Sequence, residues 1–246
     1  MSPFGRAFAD GDRLQVAGAI VTLKVHRRAR RVSLRLDRAR GEIVATAPSA
    51  RRLHEAAAFA RERAGWIAER ILELPQAPPV APGLMLQVFG EPVRLEAVAG
   101  RARWLAATEH FPARIAAMGE GEGYARAVIL VLRKRALEVL CERTETYAAR
   151  LGAPMPKVAV ADAKGRWGSC RPGRAGAAGS IRYSWRLALA PFEVADYVAA
   201  HECAHLLELN HGPRFWAHVR GLVGDPRPHR DWLRAEGARL HAFGRG

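Results

Sequence analysis

Residues 201–205 read His-Glu-Cys-Ala-His, and a third histidine, His211, follows six positions after His205. If this stretch is helical, His201 and His205 stand at i and i+4 on one face, about 5–6 Å apart at Cβ, close enough for both imidazoles to bind one metal ion. Glu202 then reaches a water held by that metal and can accept its proton as the water attacks a carbonyl. The chemistry expected is metal-assisted hydrolysis. The competing reading, a core helix whose histidines are satisfied by ordinary hydrogen bonds, fits the flanking pattern less well.

Were one helix to run through 211, His211 would lie about 9 Å along the axis and about 240° around it from His205, facing away. Gly212 and Pro213 remove that difficulty by ending the helix, so that the chain can turn back and His211 can complete a three-histidine site. Three neutral imidazoles favour Zn2+ and leave a fourth tetrahedral position for water, whose pKa falls toward roughly 7. With Glu202 as general base and later as proton donor to the leaving amine, peptide-bond hydrolysis is the reaction expected. Cys203 falls about 200° from His201 and is read as core filler. His218, His229 and His241 are read as surface or structural residues.

The metal helix is expected to start at Pro191, with Glu193 in its first turn where the helix dipole favours an acid. Val194, Val198, His201 and His205 then share a stripe. Pro213 can start the next helix, whose Phe215 and Trp216 read as core anchors. Upstream, residues 20–25, 32–36 and 42–46 alternate as a small β-meander, and Ser49 can cap a helix striped by Leu53, Ala57, Ala60, Ala64, Ile67, Ile71 and Leu74, with Trp66 beside it. Four prolines between 75 and 82 exclude helix. Residues 84–89 and 93–97 read as a second hairpin, and 124–151 as a long helix after a glycine-rich break at 119–123. Strand character returns at 157–161 and 180–187. No internal repeat is apparent. The expected organisation is an N-terminal strand-rich lobe with one helix over 1–118 and a catalytic lobe over 119–246.

A chain of 246 residues with 49% hydrophobic content is long enough for one large domain or two lobes. The first six residues lack the order of a secretory signal, and the longest apolar run, 127–132, is far too short to span a bilayer. Cys141, Cys170 and Cys203 include no C-x-x-C pair. A cytoplasmic protein with reduced thiols and no membrane partner is expected. The net charge of +15 points to an acidic partner, but only four of 39 basic residues are lysine, and the excess of arginine, alanine and glycine suggests compositional bias. Non-specific nucleic-acid binding therefore stays open. So does phosphate contact by the run at 26–31, though a solvated hairpin connection is the commoner meaning of such a run.

The H-E-x-x-H-x5-H spacing also occurs in metzincin proteases, whose glycine would fall where Glu208 stands, and their methionine turn is missing. The flanks instead resemble the YgjP-like metallopeptidase family, and more distantly the SprT-like and Wss1-like proteases. The likeness is carried by Arg166-Trp167-Gly168-Ser169-Cys170, residues 181–187 with Trp185, Pro191, Asp196-Tyr197-Val198, the histidine motif, Asn210-His211 and Phe215-Trp216. It spans about 20–240. Cys203 departs from the family's usual leucine and Ser184 from its asparagine, and the glycine-rich connection at 172–179 is longer than usual.

The resemblance implies an α+β fold with a minimal zincin-type catalytic lobe, in which a short sheet backs the H-E-x-x-H helix and an edge strand borders a peptide or protein substrate cleft. It implies His201, His205 and His211 as zinc ligands and Glu202 as the catalytic base. It also places Arg166 to Cys170 near the cleft, where Arg166, Ser169 and Cys170 are candidate substrate-binding residues and a tight structural turn is at least an equal alternative. The rival is a basic nucleic-acid-associated protein: either a SprT-like protease acting on DNA-bound proteins, or a binding module whose zinc is structural and closed by a fourth ligand such as Cys170.

Overall fold

The alternating residues after position 12 fold as four strands, β1 (Arg13–Val16), β2 (Ala19–Val25), β3 (Ser33–Asp37) and β4 (Glu42–Ala47). The computed structural model describes residues 7–38, 40–163, 165–173 and 177–244. The six N-terminal residues, Lys164 and residues 174–176 of the glycine-rich connection lie outside the described residues. The sheet is not a meander: its order is β1-β2-β4-β3, with β2 and β4 parallel. β4 takes the middle because nearly all of it is buried, with Ile43 and Ala45 inaccessible, whereas β3 carries Arg35 and Asp37 and suits an edge.

One face of this sheet is covered by α1 (Leu53–Glu62) and α2 (Ala64–Leu72), where a single helix was expected. Arg63 departs from helical dihedrals, yet Arg63 N–H still donates to the Phe59 carbonyl and Ile67 N–H to the Arg63 carbonyl. The apolar stripe therefore continues across the break, with Leu53, Ala56, Ala57, Ala60 and Ile67 packed on Val21, Leu23 and Ile43. Ser49 makes no side-chain cap; a short 3-10 turn, Ala50–Arg52, leads into α1 instead.

The rest of the chain holds β5 (Met85–Val88), β6 (Glu91–Ala97), β7 (Arg103–Leu105), β8 (Ala113–Ala117), α3 (Gly121–Arg150), β9 (Lys157–Ala161), β10 (Gly168–Arg171), β11 (Ser180–Ser184), α4 (Phe192–Ala204), α5 (Pro213–Val223) and α6 (Arg227–Ala242). The architecture is α+β, with three small sheets and six α-helices among the described residues. The chain divides into two compact units at Met1–Gln76 and Ala77–Gly246, not at 118/119. Strands β5 to β8 belong with the second unit because Val88, Val93, Leu95 and Ile115 share one core with Val128 and Leu132 of α3 and with Val198 of α4. The Phe89 N–H donates to the Ala188 carbonyl at 2.7 Å, and Phe89 bridges to Pro191, pinning this hairpin to the start of α4.

An internal repeat is present. The sheet β5-β6-β8-β7 has the same order as β1-β2-β4-β3, the same parallel central pair, and a helix following its last strand. Leu14-Gln15-Val16-Ala17-Gly18 and Leu86-Gln87-Val88-Phe89-Gly90 align, and Val21 and Leu23 match Val93 and Leu95. Ala17 and Phe89 are the non-glycine residues with positive φ among those described, and each is followed by a positive-φ glycine, the two-residue hairpin turn whose twist matches its strands. The repeat escapes the sequence because the later strands and helices of the two modules have diverged. β7 and β8 were not expected as strands at all.

Beyond α3, β10-β11-β9 forms the third sheet, with β10 as an antiparallel edge strand. Trp185–Leu189 leaves the strand as a buried 3-10 turn and delivers the chain to α4. Helix α3 is tied to α4 where Asp196 accepts from Arg143 Nε and from the Tyr147 hydroxyl, both at 2.6 Å.

Candidate metal centre

Helix α4 opens with Pro191 as its N-cap and Glu193 in its first turn. It ends at Ala204, earlier than expected, and His205 caps it. The reason is local. The Leu206 and Leu207 N–H groups fall back to i−3 carbonyls, and His205 Nδ1 bonds the Glu208 carbonyl at 2.9 Å, closing the turn from the side-chain end. Gly212 and Pro213 do not terminate α4; they are the N-cap and first residue of α5. The connection at 206–212 swings His211 back toward the helix.

The three histidines converge. One nitrogen from each of His201, His205 and His211 lies within 4.8 Å of the other two, and the rings stand 4.8–5.0 Å apart between centroids. His201 Nε2 and His211 Nε2 are 3.1 Å apart, close to the roughly 3.3 Å that two nitrogen ligands would keep on a tetrahedral zinc. His205 Nδ1 donates to the Glu208 carbonyl, which leaves its Nε2 lone pair for a metal. The Tyr197 hydroxyl, one turn before His201, lies 3.3 Å from His201 Nδ1 and holds that ring's remaining nitrogen. Phe215, fully buried, packs against all three rings at 4.6–4.9 Å and forms the floor of the cluster.

The electrostatics suit metal binding. Burial, then the neighbouring His205, His211 and Arg230, hold His201 down at about 3. Burial and His211 lower His205 as well, against the raising effect of its bond to Glu208. Both are thus neutral ligands at physiological pH. Burial pushes the Glu202 carboxyl up to about 7, against the pull of Arg166. Glu202 is 5% exposed, and its Oε2 has no hydrogen-bond partner among the described residues. The residue that follows His201 in the chain thus carries a buried carboxylate oxygen with hydrogen-bonding capacity to spare. The residues fit a zinc ion.

Of the residues expected to meet substrate, Arg166 is exposed just before β10 and acts on Glu202 through its charge. Cys170 is half-buried on β10, its thiol raised to about 12 by burial and by the Glu202 charge. It is not in the histidine cluster. Ser169, between Gly168 and Cys170, points to the opposite face of β10 by strand alternation. His218 lies on α5. His229 stacks on Tyr197 at 5.7 Å, and buried His241 stacks on Trp167 at 4.6 Å.

The roles of three residues escape the sequence reading. A β-carbon at Gly168 would come within 2.6 Å of Glu202 Cδ, so the strand approaches the carboxylate as closely as a glycine permits. Tyr197 could have been found from its place four residues before His201 on the same helical stripe. Arg230, whose guanidinium lies 4.9 Å from the centre of the Trp216 ring and whose charge acts on His201, comes from α6 and carries no local signal. Compared with known families, residues 30–236 match the model described as YgjP-like, metallopeptidase domain. No curated protein and no solved structure matches the chain.

Proposed function

Since the chain belongs to the YgjP-like metallopeptidase domain family, we propose that it is a zinc-dependent peptidase in which His201, His205 and His211 hold the metal and Glu202 is the general base. The observation that carries this is the meeting of three imidazole nitrogens within 4.8 Å beside a buried carboxylate oxygen without a partner. The second unit is then a minimal zincin-type lobe, with the β10-β11-β9 sheet behind α4. Bound there, zinc supplies Lewis-acid polarisation of the substrate carbonyl and lowers the pKa of water toward roughly 7.

The chain's own residues do the rest. Glu202 takes a proton from the attacking water at its free Oε2 and returns it to the departing amine. Its raised pKa of about 7 makes both transfers feasible near neutral pH. Gly168 leaves the carboxylate the room it occupies. Tyr197 and the Glu208 carbonyl fix the rings of His201 and His205. Phe215 keeps water from the far side of the rings.

The ligand set supports an enzyme over a structural zinc module, because among the described residues it stops at three histidines and does not include Cys170. The described residues contain no helix long and apolar enough to cross a membrane, and three free cysteines suit a reducing compartment, which we take to be the cytoplasm. The test is bound zinc and peptide cleavage in the wild type and Glu202→Gln. About one zinc in both, with turnover reduced at least about 100-fold in the variant, is expected. Equal cleavage by both, or wild-type protein that takes up no zinc, overturns the reading.

A further inference from the structure

The first unit contains a cleft of about 460 Å³ between β3 and the α1–α2 pair. One wall is formed by Phe59, Arg63 and Trp66, at i, i+4 and i+7 on one helical face. The other is the consecutive stretch 31–34. Arg31 and Val32 lead into β3 and Ser33 and Leu34 open it, so the cleft lies at the start of that strand. β3 is the last strand of its sheet, paired with β4 alone. Its outer edge therefore presents main-chain donors and acceptors to the cleft.

The internal repeat puts a larger side chain at the equivalent position of the second module. Leu23 pairs with Ala45 and Leu95 with Ile115, so Leu34, opposite Ala45, corresponds to Trp104, opposite Ile115. In the second module the larger Trp104 ring stands at this position, packed on the core under the Arg135 guanidinium at 5.5 Å. In the first module the smaller Leu34 stands there, also packed on its core and lining the cleft.

The cleft is basic. Arg31 and Arg63 are exposed and have no acidic partner among the described residues, as is true of Arg27, Arg28 and Arg30 in the adjoining connection. The aromatic rings are poor platforms for bases. Arg63 lies over Phe59 at 5.5 Å and Arg70 over Trp66 at 5.6 Å, and Trp66 also packs on the core. What remains on offer is a strand edge, the half-buried apolar flanks Val32 and Leu34, and guanidinium groups without an acidic partner among the described residues. These suit an extended chain that supplies backbone hydrogen bonds and carboxylates.

We propose that the cleft along β3 docks an extended acidic polypeptide segment, added as a strand to the free edge with its carboxylates on Arg31 and Arg63. The choice of a polypeptide rests on the peptidase reading. Binding is measured without turnover, so either reading can fail alone.

Fluorescence anisotropy with the full chain in chelator reads binding of a fluorescein-labelled peptide of about ten alternating glutamate and valine residues. Three changes are each expected to weaken it at least about tenfold: lysine in place of glutamate, N-methylation of the central amides, and Leu34→Trp, which puts the second module's larger residue at the cleft. If Leu34→Trp fails to fold by circular dichroism, the exposed-site pair Arg31→Ala with Arg63→Ala replaces it, and the methylated peptide needs no variant. Absence of binding, equal binding of the glutamate and lysine peptides, or undiminished binding of the methylated one overturns the proposal. So does a labelled oligothymidine that binds more tightly than the acidic peptide and is lost in Leu34→Trp.

Discussion

Gly168 abuts the carboxylate of Glu202 so closely that one added carbon would overlap it, at 2.6 Å from Cδ. The relationship joins two elements. β10 is fixed by pairing Gly168 with Tyr183 of β11, and Glu202 by its place one residue after His201 on α4. The Tyr183 hydroxyl in turn bonds Thr144 Oγ1 on α3 at 2.8 Å, so the strand cannot retreat freely. Gly168 has no positive φ, so an alanine fits its backbone and only the overlap acts. Gly168→Ala is expected to retain zinc while kcat/KM falls about 100-fold, the scale of a group misplaced by about 1 Å. Wild-type turnover in that variant would show that Gly168 does not set the position of Glu202.

With zinc at the proposed site, Tyr197 is expected to act on the metal through His201. Its hydroxyl is 3.3 Å from His201 Nδ1, and burial pushes that hydroxyl up to about 12, so it stays protonated across the working pH range. Tyr197→Phe keeps the ring stacked on His229 and removes only the oxygen. Competition against a chromophoric chelator is expected to show zinc affinity weakened about tenfold, the low end for loss of a partner to a metal-bound imidazole. Thermal unfolding of the metal-free protein should scarcely move. A large drop there would assign Tyr197 to stability.

Phe215 serves both the core and the cluster. It is wholly buried and touches the ring of every histidine in the site. Phe215→Ala should cost about 3–5 kcal/mol in urea unfolding of the metal-free chain and weaken zinc binding as well, because the rings lose their common floor. Phe215→Leu, which refills most of the volume, should restore most of the stability but not all of the affinity. If the two quantities recover together, the floor has no separate effect on the metal.

What the sequence made legible follows the range of the forces involved. The histidines and Glu202 lie within eleven residues, and helical periodicity alone places His201 beside His205. The end of α4 was misplaced because it depends on a side chain, His205, bonding a carbonyl three residues on. Gly168, Arg230 and the grouping of β5 to β8 with the second unit are tertiary facts, set by residues dozens of positions away. The repeat was hidden for another reason. Only its first hairpin keeps shared residues, while Leu34 and Trp104, at the same place in the fold, differ in size and chemistry.

Metal removal separates catalytic from structural zinc. His211 is exposed and sits on the connection between α4 and α5, whereas α4 itself is held by Val194, Val198, Ala199 and Cys203 in the main core and by the Asp196 bonds to α3. The fold is therefore expected not to depend on the ion. Chelator-treated protein should keep its far-ultraviolet circular dichroism and cooperative unfolding. Adding back zinc at about 100 times its Kd should stabilise it by about 2.7 kcal/mol through binding linkage alone. His211→Ala should unfold like the metal-free wild type and lose that zinc-dependent gain. A chain that loses its structure in chelator would instead place the zinc among structural ions, which supply folding free energy outright.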